Sequence, residues 1–74
     1  MATLVLRVRL VGGHHMDVTY EEPGIVDEGE LTEHVVSTLM SDSGALRTRH
    51  GDRLVVLYGR GVAALEVSPL GAVL

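Results

Sequence analysis

The last third of the chain constrains its fold most. Leu54-Val55-Val56-Leu57-Tyr58 and Val62-Ala63-Ala64-Leu65-Glu66-Val67 are apolar runs of strand length, and Gly59-Arg60-Gly61 separates them. Short apolar runs bounded by glycine read as buried strands joined by a turn. They predict a terminal β-hairpin, with Leu54–Tyr58 as a central strand of a small sheet.

A chain of 74 residues is one domain, near the lower limit for folding without staples. There is no cysteine, so neither disulfides nor thiolate zinc can supply stability. Self-association is the remaining common device. No apolar run approaches the ~20 residues needed to cross a bilayer. Arg7 and Arg9 sit inside an alternating pattern, which does not fit a secretory signal. The expectation is a soluble, cytoplasmic protein. All six basic residues are arginine, and lysine, asparagine and glutamine are absent, the usage of a GC-rich bacterial genome.

Charge is unevenly placed. Between Leu10 and Leu46 lie Asp17, Glu21, Glu22, Asp27, Glu28, Glu30, Glu33 and Asp42 and no arginine; the arginines flank that window, with only Asp52 and Glu66 beside them. The net charge is −4. Such asymmetry marks an interaction surface unless the segments pair in the fold.

Thr3–Leu10 alternates: Leu4, Leu6, Val8 and Leu10 on one face, Val5, Arg7 and Arg9 on the other. After Gly12-Gly13, Met16, Val18 and Tyr20 alternate with polar residues. A two-residue loop would mix charged and apolar side chains on one face. An odd loop, Gly12-Gly13-His14, pairs Leu10 with Met16 and Val8 with Val18, and needs a glycine at positive φ. From Asp27 the period changes. Leu31, Val35, Leu39 and Met40 recur at helical spacing, with Asp27 as N-cap, Glu30 three residues on and Gly44 as the stop. Ala45–Arg49 reads as a strand with Leu46 and Thr48 inward and Arg47 and Arg49 outward, followed by a turn over His50–Arg53.

The fold class expected is α+β: a small sheet in the order β-β-α-β-β-β with one helix on one face, the alternative being all-β. Residues 1–68 form the domain and 69–74 an apolar tail that docks. With the helix covering one face, Val55 and Leu57, near Val5, are expected on the other, as an apolar surface that drives homo-oligomerisation, a dimer first.

Candidate chemistry is sparse. Adjacent His14 and His15 point to opposite faces of a strand, so they do not chelate together; His15, His34 or His50 would be the histidines of a metal reading. Ser41, Ser43 and Ser68 lie on no nucleophile elbow, and the carboxylates crowd a solvated helix where nothing separates their pKa values. No catalytic, cofactor or metal residue is assigned, and no enzyme is expected. Arg7 with Arg9, and Arg47 with Arg49, each project from one side of a strand. If those strands are neighbours they make an anion-binding stripe, unless Arg7 and Arg9 pair with Asp17. Two aromatic residues and a negative charge disfavour nucleic acid.

Asp27-Glu28-Gly29-Glu30, Thr32-Glu33-His34 and Thr48-Arg49-His50-Gly51 are similar to a segment of the tryptophan RNA-binding attenuation protein family. Members of that family form β-sheet rings that bind tryptophan and RNA, and the resemblance implies a strand over residues 31–40; the lysine and arginine positions that bind RNA in the family are Leu39 and Ser41 here, so that activity does not carry over. The element order also resembles ubiquitin-like β-grasp proteins, although the chain ends Gly71-Ala72-Val73-Leu74 where carriers of that kind end Gly-Gly. Taken together, the sequence suggests a small non-enzymatic interaction module, self-associating and serving a larger protein. Val55, Leu57 and Leu74 are assigned to assembly, and Arg47 and Arg49 to an acidic protein segment. The alternative is an oligomeric ligand- or RNA-binding regulator using the arginine-bearing face.

Overall fold

The computed structural model describes residues 2–69. Strands β1 (Thr3–Leu10), β2 (His15–Glu21), β3 (Ala45–His50), β4 (Arg53–Tyr58) and β5 (Val62–Pro69) form one sheet, and helix α1 (Glu28–Leu39) lies between β2 and β3 in sequence. The expected α+β class and element order are thus borne out, and the helical period over residues 31–40 gives a helix where the attenuation-protein resemblance implied a strand.

Asp27 caps the helix as the sequence predicts: its side chain accepts a hydrogen bond from the Glu30 amide at 3.3 Å. Glu28 and Glu30 lie in the first turn, where the positive end of the helix dipole favours them. Leu31 and Val35 are the fully buried helix residues, and they pack on one face of the sheet. That face is built by Leu4, Leu6, Val8, Val18, Tyr20, Leu46 and Leu57. Thr48 is buried among them, with its hydroxyl donating to the Val55 carbonyl at 2.7 Å, so no hydrogen bond is lost by its burial.

The first hairpin has the predicted odd loop, displaced by one residue. Arg9 pairs with His15 and Val8 with Met16, not Val18, and the Leu10 amide bonds the His14 carbonyl at 2.7 Å. The loop is therefore Val11-Gly12-Gly13, with both glycines at positive φ (107° and 97°). Parity is what the core demands, and both registers keep Leu6, Val8, Met16 and Val18 on one face.

The terminal hairpin is not formed. The strand order is β4-β3-β2-β1-β5, so β4 and β5 occupy opposite edges. Leu54–Tyr58 is an edge strand, not a central one. Gly59–Gly61 is a single 3₁₀ turn carrying the chain across the sheet's end, with neither glycine at positive φ. The close approach explains both Gly59 and Gly44. A Cβ on Gly59 would meet the Leu39 and Ser41 carbonyl oxygens, and one on Gly44 would overlap the Thr38 carbonyl. The Gly59 amide donates to the Gly44 carbonyl at 2.9 Å, seating this corner beneath the end of the helix.

Val55 and Leu57 are likewise corrected. β4 pairs with β3 through Thr48↔Val55 and Leu46↔Leu57, which places both residues on the helix side. Leu57 is buried and Val55 packs partly buried against the core. The β-grasp resemblance extends to element order: every pairing here is antiparallel, including β1 with β5. The expected tail begins as the last residue of β5, Pro69; Leu74 lies outside the described residues.

Candidate functional site

The helix covers one face of the sheet; among the described residues no element covers the other. Its composition follows from strand alternation: every second residue of each strand must point away from the helix. β4 contributes Leu54, Val56 and Tyr58; β3, Arg47 and Arg49; β2, His15, Asp17, Thr19 and Glu21; β1, Val5, Arg7 and Arg9; β5, Ala64, Glu66 and Ser68. Leu54 is 59% exposed, Val56 36% and Tyr58 55%. The greasy outward surface anticipated for Val55 and Leu57 exists, one residue out of phase.

The rows across the sheet are fixed by pairing. Leu54 lies opposite Arg49, Arg49 opposite Thr19, Thr19 opposite Val5 and Val5 opposite Ser68. Arg47 lies opposite Val56. Two arginines thus border three apolar side chains along the β4 edge. Arg60 adds a cation over the Tyr58 ring, 5.9 Å from its centroid.

Arg7 and Arg9 share this face with Arg47 and Arg49, but β2 intervenes and the four do not form one stripe. Asp17 sits directly opposite Arg7, and the two form an ion pair at 3.1 Å. The hydrogen bond from Arg7 holds the Asp17 carboxyl below its ordinary pKa, with the charges of Arg7, His15 and His50 acting the same way; the Arg7 guanidinium is raised in turn. The cross-strand pairing anticipated for Arg7 therefore forms. Arg9, opposite His15 and Ala64, borders a shallow depression lined also by Arg7 and Glu66.

The histidines separate. His50 Nδ1 lies 2.8 Å from the Asp17 carbonyl oxygen, near His15. His34 is on the helix, stacked on Tyr20 with ring centroids 6.2 Å apart and planes 10° from parallel. Beneath it, burial and a hydrogen bond to Glu22 (3.0 Å) push the Tyr20 hydroxyl up to about 12. Among the described residues no three metal-ligating side chains converge, and no helix is long and apolar enough to cross a membrane.

What the described residues of this face offer is contact: apolar side chains bordered by guanidinium groups. Sequence reasoning placed Arg47 and Arg49 on the open face and missed Leu54, Val56 and Tyr58. The signal was present. With Thr48 and Leu46 inward, any even-length turn at Gly51 puts Val55 and Leu57 inward too. The turn is Gly51-Asp52, with Gly51 at φ 62° and no non-glycine residue at positive φ, the pattern of a type II′ hairpin.

No protein-family model, curated protein or solved structure matches this chain. Fold and site therefore define its class alone: a small α+β sheet protein with one open, amphipathic face.

Proposed function

We propose that this chain is a small, non-enzymatic interaction module of the cytoplasm that self-associates and acts as an accessory or regulatory partner of a larger protein. One observation carries the reading. Leu54, Val56 and Tyr58 stand exposed along a sheet edge with Arg47 and Arg49 beside them, on a face that no described element covers. Exposed apolar side chains gathered in one patch, rimmed by charge, mark protein contact surfaces. Arginine and tyrosine are also the residue types that most often dominate binding energy.

An acidic polypeptide segment suits that rim. A nucleic-acid backbone suits it less, because Asp17 and Glu21 on β2 stand between the two arginine pairs and only two aromatic residues exist for stacking. The test is affinity purification from the native host with the tagged chain. The wild type should retain a defined protein partner, and an Arg47→Ala/Arg49→Ala variant should lose it while keeping its fold by circular dichroism. Salt-sensitive retention on a random RNA pool, lost in the same variant, would replace this reading with the RNA-binding one.

A further inference from the structure

The two sheet edges are built differently. In β5 the pairing with β1 slips at Arg9/Leu10, Glu66 carries charge, and the strand ends at Pro69. A bulge, a charge and a proline are the devices that keep sheet edges from pairing with other chains. β4 has neither a bulge nor a proline: its register with β3 is unbroken, and its one charged residue, Arg53, stands at its first position, leaving Leu54–Tyr58 uncharged.

The free backbone groups of β4 are identifiable. The Gly59 amide bonds the Gly44 carbonyl, one step beyond the Tyr58↔Ala45 pair. Hydrogen-bonded and non-bonded pairs alternate along an antiparallel ladder. Leu57, Val55 and Arg53 therefore turn their amides and carbonyls toward β3, while Leu54, Val56 and Tyr58 turn theirs out of the sheet edge.

We infer that two copies of this chain join along β4, antiparallel about Val56, into one continuous sheet; this rests on the self-association proposed above. The segment is complementary to itself about that point. Val56 falls opposite the partner's Val56, and Leu54 opposite the partner's Tyr58. On the helix side Val55 meets the partner's Leu57. Arg53 meets the partner's Gly59, so no like charges oppose one another across the strands. The outward-turned groups supply three bonded pairs, about four hydrogen bonds beyond those of the Tyr58 carbonyls, which also cap the 3₁₀ turn. On the open face the apolar residues of both copies merge into one strip with Arg47 and Arg49 along each side, a two-fold symmetric docking surface. Edge pairing buries little area, so the dimer is weak, below the ~1,200 Å² of a standard interface.

Sedimentation equilibrium over about 10–500 µM, the range in which weak interfaces populate, should move the wild type from 7.9 kDa toward twice that mass. Val56→Pro removes an amide that β3 does not use, at an edge position proline tolerates. It should weaken the dimer at least ~tenfold with unchanged circular dichroism, and Val56→Lys should do the same without altering the backbone. Amide exchange by NMR should show Leu54, Val56 and Tyr58 protected only at dimer-forming concentrations. A wild type that stays monomeric throughout overturns both this pairing and the self-association reading. A dimer that survives both substitutions overturns the β4 pairing alone. Protection independent of concentration overturns it as well, by assigning the edge to a segment of the same chain.

Discussion

Alanine at Gly59 and alanine at Gly61 should move stability in opposite directions, though they stand two residues apart in one 3₁₀ turn. Neither glycine has a positive φ, so backbone conformation does not separate them. Space does. A methyl at Gly59 would sit 2.6 Å from the Leu39 carbonyl oxygen and against that of Ser41, both fixed at the end of the helix. At Gly61 nothing lies within 4 Å. Forcing a methyl into packed surroundings costs about 1–3 kcal/mol, and alanine regains about 0.4–1 kcal/mol by restricting the unfolded chain. Gly59→Ala should therefore lose up to roughly 2.6 kcal/mol and Gly61→Ala gain about 0.4–1 kcal/mol. A chain of this length holds on the order of 4–11 kcal/mol in total. With a urea dependence near 1 kcal/mol per M, the two midpoints should differ by about 1–3 M. Urea unfolding followed by circular dichroism measures this directly. Equal midpoints, or a Gly59→Ala midpoint above the wild type, would refute the view that the helix end and the β4–β5 corner touch through bare backbone.

Leu31 is fully buried against the sheet, so Leu31→Ala should cost about 2–5 kcal/mol, enough to leave the domain partly unfolded in thermal melts at ambient temperature. Asp27→Ala removes the side-chain cap on the Glu30 amide and should cost about 0.5–2 kcal/mol by urea titration. Tyr20 supplies a pH dependence. Its folded pKa of about 12 lies above the ordinary 10, so folding disfavours the tyrosinate: stability is intact below pH 10 and falls as pH climbs from 10 toward 12. The loss, screened by partial hydration of the hydroxyl, is on the order of 1–2 kcal/mol, and urea midpoints for Tyr20→Phe should not show it.

Much of the fold was readable because burial on one side leaves a strict record in sequence. Alternation over Thr3–Leu10 fixed the faces of β1, and the change of period at Asp27 located the helix. Core parity dictated an odd first loop, though not which three residues would form it. What the sequence did not reveal is which strands are neighbours. Gly59-Arg60-Gly61 looks like a hairpin turn, yet its first glycine serves a close backbone approach that only the folded chain creates. Glycine marks both situations, and no local pattern tells them apart. One hint was available in β5. Val62, Leu65 and Val67 face the core at spacings of three and then two, with Ala63 and Ala64 both exposed between them, and that phase slip belongs to the bulge against β1.

That misplaced hairpin also bears on the site. A central strand apolar on both faces needs no explanation beyond burial, and under that topology Leu54–Tyr58 would have been ordinary core. As an edge strand the same five residues are anomalous, because edges of small sheets ordinarily carry charge or proline on the side facing water. The opposite edge of this same sheet follows that rule, with Glu66, a bulge and Pro69. The contrast lies within one molecule and at one size of domain, so composition bias of the whole chain does not account for it. The devices that discourage edge pairing run along β5, whereas β4 beyond Arg53 is without them. Substituting charge into β4 should therefore abolish assembly, while substituting apolar residues for Glu66 and Ser68 on β5 should create a second contact and drive the chain toward open, non-closing polymers. Light scattering of a Glu66→Val/Ser68→Val variant reads that outcome. A variant with no larger species than the wild type would remove the asymmetry of the two edges as a reason for placing the contact on β4.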